Sequence, residues 1–146
     1  MIIFSMLSLI SAVLAFTIGT YVYYQNKNNI INKIFLILSC VIGYSSFVEF
    51  MYRQTENIET AHFWFSIRFP FLFILPLTIL FIIHYTQNHK LKNNFLFHIV
   101  YFLPSLIFSY FFIFTNKLYT GLERESWGFF PVLNNESVIF VFWAAW

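Results

Sequence analysis

The stretch Ala61–Tyr85, AHFWFSIRFPFLFILPLTILFIIHY, decides how this chain is read. About 20 mainly apolar residues cross a hydrocarbon core of roughly 30 Å as a helix, and this stretch is long enough. Three residues interrupt it: a charge at Arg68 and prolines at Pro70 and Pro76. A proline within a helix offers no N–H, so the carbonyls of Ser66 and Leu72 lose their usual donors. In lipid such groups must find a neighbouring helix, a side chain or water. A charge at bilayer depth costs about 2.5 kcal/mol or more unless it pairs or snorkels to the headgroups. The stretch is therefore expected to face other helices, with Pro70 and Pro76 as bending points.

Composition points the same way. The 146 residues are 60% hydrophobic and 24% aromatic, and 10% are charged, whereas about 25% is usual for soluble domains. A soluble monomer is not expected. The formal net charge of +2 comes without a basic cluster, which argues against a nucleic-acid partner. Cys40, the single cysteine, excludes an intrachain disulfide and a cysteine-based metal cluster. The N-terminal run has no positive flank and stays apolar to Tyr24, so it reads as a retained helix rather than a cleaved signal.

The expected architecture is all-α, a polytopic transmembrane bundle forming a single domain over residues 1–146. Spans are expected at about 2–24, 34–52, 61–86 and 95–114, with the start of a fifth at 138–146. VIFVFWAAW from Val138 reaches only about 14 Å as a helix, so it reads as a span cut short. Residues 115–137 read as an ordered loop with an interfacial piece around Trp127, Phe129 and Phe130. The links after the first and third spans carry Lys27, Lys33, Lys90 and Lys92; the other two carry Arg53, Lys117 and Arg124 over more residues. The positive-inside rule then places the first and third links in the cytoplasm and the N-terminus outside the cell membrane.

Glu49 and Arg68 are the charges embedded in the expected spans. Both lie near the outer side: Glu49 about 6 Å below Arg53 and Arg68 about 10 Å below Ala61, by helix rise. A buried Glu49–Arg68 pair near the mouth of the bundle, close to any ligand, is one reading. In the other, Glu49 pairs with Arg53 at i,i+4, while Arg68 snorkels and stacks on Trp64. His62 and Trp64 are expected at the membrane interface, where His62 could titrate near neutrality. The four histidines form no i,i+4 ligand pair, so neither a metal nor a cofactor is expected. Glycine-rich phosphate loops, HExxH and GxSxG are all missing, so the chain itself is not expected to be an enzyme. Asn135-Glu136-Ser137 matches a glycosylation sequon, which matters only in a glycosylating host.

Three segments together resemble the N-terminal seven-helix membrane region of histidine kinases. The first is SLISAVLAFTIGTYVYYQNKNNIINKIFLILS (Ser8–Ser39), with its Asn-rich link and the Asn32-Lys33-Ile34-Phe35 opening of the second span. The second is AHFWFSIRFPFLFILPLTILFIIHYTQN (Ala61–Asn88), with Ala61 and Trp64 before Arg68, Pro76, and a Phe81…Tyr85-Thr86 exit. The third is Pro104 followed by Thr115-Asn116. The resemblance implies seven helices, an extracytoplasmic N-terminus and a cytoplasmic output domain beyond Trp146. It implies a sensor or input region of two-component signal transduction. The partners to expect are the lipid bilayer, neighbouring helices including those of a second copy, and a small ligand of unknown identity. A transporter or channel component, or a small partner-binding membrane protein, is the alternative.

Overall fold

The computed structural model describes residues 2–92, 94–115, 119–125 and 128–133. Helices α1 (Ile2–Gln25) and α2 (Ile30–Gln54) form an antiparallel pair. The Asn-rich link between them is a capping device. Asn29 accepts from the Ile31 N–H at 2.9 Å, and Asn32 Nδ2 donates to the Val22 carbonyl at 2.9 Å. These bonds let α2 begin at Ile30, ahead of the apolar run that opens at Ile34. The helices touch through their glycines: a Cβ on Gly19 would lie 2.5 Å from Ser39 Cβ, and one on Gly43 would lie 3.0 Å from the Phe16 ring. At the far end Gln54 Nε2 donates to Ser5 Oγ.

The third span is not one helix. α3 (Ile58–Ser66) stops, the chain turns at Ile67–Arg68, a 3-10 turn covers Phe69–Phe73, and α4 (Ile74–Tyr85) resumes. Pro70 cannot donate to Ser66, and the turn tightens instead, with the Phe71 N–H on the Arg68 carbonyl at 3.0 Å. Two carbonyls left over by this change are met from neighbouring helices. Tyr44 Oη donates to the Ile67 carbonyl at 3.1 Å, and Ser105 Oγ donates to the Leu72 carbonyl at 3.0 Å. Pro76 stands third in α4, so the carbonyl that its missing N–H leaves open is that of Leu72, in the 3-10 turn before the helix. Both prolines thus stand at the starts of helical pieces.

The Ser105 bond lies in a fully buried position and can be tested by a double-mutant cycle. Ser105→Ala should cost about 0.5–2 kcal/mol, the range for a bond whose loss strands a buried carbonyl within a membrane bundle. In a Pro76→Ala background the restored N–H can serve the Leu72 carbonyl, and the same substitution should cost clearly less. Equal losses in both backgrounds, measured by denaturant titration in detergent, would refute this assignment.

After the short α5 (His89–Lys92), α6 (Phe95–Phe114) rises with Asn94 as its cap, accepting from the Phe97 N–H at 3.3 Å. The segment expected as an ordered loop forms a hairpin, β1 (Tyr119–Glu125) and β2 (Gly128–Leu133), paired antiparallel with Leu122 opposite Pro131 and Arg124 opposite Phe129. Alternation along the strands supplies the reason: Leu122 and Phe129 turn inward while Glu123 and Phe130 stay exposed. Leu122 and Phe129 join Val48, Tyr52, Ala61, Phe65, Leu72 and Phe112 in one core. Trp127, the sequon and the expected fifth span lie outside the described residues.

The fold class is as the sequence led us to expect, a mostly helical bundle. Among the described residues four segments are long and apolar enough to cross a membrane: Ser5–Gln25, Ile30–Gln54, Ile58–Tyr85 and Phe95–Phe114. α1 exposes Leu7, Ile10, Val13 and Leu14, and α6 exposes Leu96, Val100, Leu103 and Leu106. Apolar surface on this scale would drive association in water; facing acyl chains it needs no further cover.

Candidate functional site

The polar cluster lies at the end of the bundle that carries the hairpin. Glu49, Tyr52 and Arg53 fall at i, i+3 and i+4 of α2 and so share one face. Glu49 divides its carboxylate between two arginines: Arg53 Nη2 donates to Oε1 at 2.5 Å, and Arg68 Nη2 donates to Oε2 at 2.8 Å. Arg68 Nη1 also donates to Tyr52 Oη at 3.2 Å. The Arg68 guanidinium lies over the Tyr52 ring at 5.7 Å and the Phe71 ring at 5.5 Å, a cation–π sandwich. Tyr52 itself is 2% exposed.

The helix break puts Arg68 there. Because the chain leaves the α3 spiral at Ile67, Arg68 no longer projects over Trp64 one turn back. The stacking expected on Trp64 is replaced by stacking on Tyr52 and Phe71, and Trp64 packs edge-on against Phe47 and Phe63 instead. The break is pinned from α2 twice over, at Ile67 by Tyr44 and at Arg68 by Glu49 and Tyr52.

The side chains of Arg53, Arg68 and Glu49 are 19%, 24% and 22% exposed. This setting lies between a surface pair worth about 0–1 kcal/mol and a buried one whose rupture costs about 3–5 kcal/mol. Among the described residues two guanidinium groups share one carboxylate, which leaves one unit of positive charge uncompensated within the cluster. Nε of Arg53 and Nε of Arg68 are both buried and donate to no acceptor among the described residues.

The hairpin closes over the end of α2. Gly128 has φ 121°, a left-handed backbone that favours glycine. A Cβ there would lie 2.7 Å from the Arg53 carbonyl oxygen. Glycine is therefore needed at this position for both conformation and contact.

Among the comparisons, the model of the N-terminal 7TM region of histidine kinase matches residues 7–146. The chain belongs to this family. No curated protein and no solved structure matches it. Family membership makes the chain a membrane sensor region of the histidine-kinase type, a region whose role is input rather than catalysis.

The remaining candidate residues are dispersed over this input region. His62 is half-buried in α3, and its carbonyl accepts from Ser66 Oγ at 2.8 Å. Pro70 opens the 3-10 turn, and Pro76 is buried. His84 Nδ1 lies 3.0 Å from the Leu80 carbonyl, and His98 Nε2 lies 3.0 Å from that of Lys92. Among the described residues no group of three metal-ligating side chains comes together. Sequence reasoning missed Tyr52, Tyr44 and Gly128. Tyr52 and Tyr44 carried a signal in the 44, 48, 52 spacing that puts both on the face of Val48. Gly128 carried none, because its need arises from a contact with Arg53 that is remote in sequence.

Proposed function

We propose that this chain is the sensing half of a prokaryotic signal-transduction protein, embedded in the cell membrane with its N-terminus outside. On this reading the hairpin end faces the exterior. An external or intramembrane stimulus biases two packings of the bundle, and the third span carries the bias to a cytoplasmic output domain. The observation that carries the proposal is the double attachment of α2 to the break at Ile67–Arg68. A bistable element needs a place where a small polar rearrangement changes helix packing, and the 3-10 turn between Pro70 and Pro76 provides it. Lysine placement on the two links at the opposite end supports the orientation. Partners on this reading are lipid, neighbouring helices and a small ligand.

The test uses the full-length kinase in its own membrane. Glu49→Arg and Arg68→Glu should each shift basal autophosphorylation by several-fold, and the double exchange should return it toward the parental level. An alkaline phosphatase fusion after Glu125 should be active. Unchanged phosphorylation in both single variants would remove the mechanism, and an inactive fusion would remove the orientation.

A transporter reading gains one observation, since a discontinuous span is typical of transport sites. Such sites pair two matched breaks. Among the described residues α1, α2 and α6 run without interruption, so the sensing reading is preferred.

A further inference from the structure

We infer that the hairpin end of the bundle binds a small anionic group, a carboxylate or a phosphate, between Arg53, Arg68 and Arg124. The first ground is charge. Glu49 is the carboxylate that pairs with Arg53 and Arg68, and it satisfies one of two charges. An uncompensated guanidinium, three-quarters or more buried at the margin of a bilayer, attracts an anion strongly because the surroundings screen it poorly.

The second ground is donor capacity. Each guanidinium presents five N–H donors in a fixed fork suited to carboxylate and phosphate oxygens. Arg53 gives one of these to Glu49, and Arg68 gives one each to Glu49 and Tyr52. Both Nε atoms are left over. Buried donors are nearly always matched, and an oxyanion is the acceptor whose charge and geometry suit two arginines at once.

The third ground is the hairpin register. Residues directly opposite in an antiparallel pair share a face, and so do residues two apart in a strand. Arg124 is opposite Phe129 and two residues from Leu122, and both of these are buried in the core. The register therefore places Arg124, an exposed residue, on the same strand face as Leu122 and opposite Phe129, the residue that follows Gly128 and its contact with Arg53. Glu123 pairs with the exposed Phe130 and falls on the other face. Arg53 and Arg68 thus meet on one internal carboxylate, and Arg124 is the arginine that the hairpin carries on the strand face of Leu122 and Phe129.

An arriving anion would take over donors of Arg68 that Glu49 now holds, and Glu49 would keep Arg53. That exchange loosens α2 from the break, which is the step the sensing reading requires. The binding claim rests on that reading only for its consequence, and it is tested without any signalling output.

The 146-residue chain is placed in phosphatidylcholine nanodiscs, and the unfolding midpoint is followed by tryptophan fluorescence. Sodium phosphate, sodium succinate and sodium chloride are compared at equal ionic strength, and discs containing phosphatidylglycerol are compared without added anion. The expected result is a rise of several degrees with phosphate or succinate over chloride, or with phosphatidylglycerol alone. The first pattern identifies a soluble ligand and the second a lipid headgroup. Arg124→Gln, an exposed position that the fold tolerates, should abolish at least half of the rise, as should Arg68→Lys. Equal midpoints for all salts and discs would overturn the inference. A rise undiminished in Arg124→Gln would overturn it too, since it would report general charge screening.

Discussion

Glu49→Gln is expected to be among the most damaging single substitutions of a polar residue in this chain. It leaves Arg53 and Arg68 facing one another around a neutral amide. The rupture of a buried ion pair costs about 3–5 kcal/mol, and the partial exposure of these side chains reduces this to about 2–4 kcal/mol. Removing either arginine should cost much less. Arg53→Gln leaves a neutral Glu49–Arg68 pair, and Arg68→Gln leaves the i,i+4 pair on α2. Surface-like pairs of this kind contribute about 1 kcal/mol or less. The expected order in denaturant unfolding is therefore Glu49→Gln well below Arg53→Gln, with wild type highest. Comparable losses for the two variants would show that Glu49 is not the common counter-ion. Arg53→Gln combined with Glu49→Gln should recover part of the loss, because one of the two opposed charges is gone.

Gly128→Val should detach the hairpin. A left-handed conformation costs an L-residue about 1–2 kcal/mol, more for a β-branched side chain. The added carbons also meet the Arg53 carbonyl, since even the first would lie 2.7 Å from that oxygen. Backbone cannot move aside as a side-chain tip can, and overpacking of this kind costs about 1–3 kcal/mol. Together these exceed what a two-stranded hairpin holds in reserve, since such a unit is marginal alone and depends on its packing. The consequence should be local. Leu122 and Phe129 leave the core while the helices persist, and protease cleavage after Arg124 should accelerate at least tenfold over wild type. Gly121→Val is the control: nothing lies within 4 Å of a Cβ at that position, and cleavage should stay near the wild-type rate. Similar cleavage of both variants would mean that the Gly128 contact does not hold the hairpin down.

The bundle was legible in the sequence because its cause is local: runs such as Ile34–Tyr52 and Phe95–Phe114 are apolar over the length that a bilayer demands. Depth along two helices, which the 1.5 Å rise fixes, made a Glu49–Arg68 pair geometrically reasonable but left it open against Glu49–Arg53 with Arg68 on Trp64. The interruption at Ile67 did not follow, because a proline in an apolar run permits a kink, a tightened turn or a start. The choice here goes with Tyr44 and Ser105, whose hydroxyls meet the displaced carbonyls and are visible only once α2 and α6 are in place. The hairpin was missed for a related reason. Its strands mix Glu123, Arg124 and Glu125 with Leu122 and Phe129, and alternation over so few residues becomes a signal only when one face has a core to enter.

The glycine contacts between α1 and α2 have a consequence for how the chain is made. Gly19 against Ser39 and Gly43 against Phe16 join residues close in sequence, so this helical pair can form while the third span is still being synthesised. During that interval Glu49 has entered the membrane and Arg68 does not yet exist as a partner. Arg53, four residues away on the same helix, keeps the carboxylate company from the moment both emerge. The short-range pair thus needs no residue from beyond α2, whereas the Arg68 pair waits on the segment that follows.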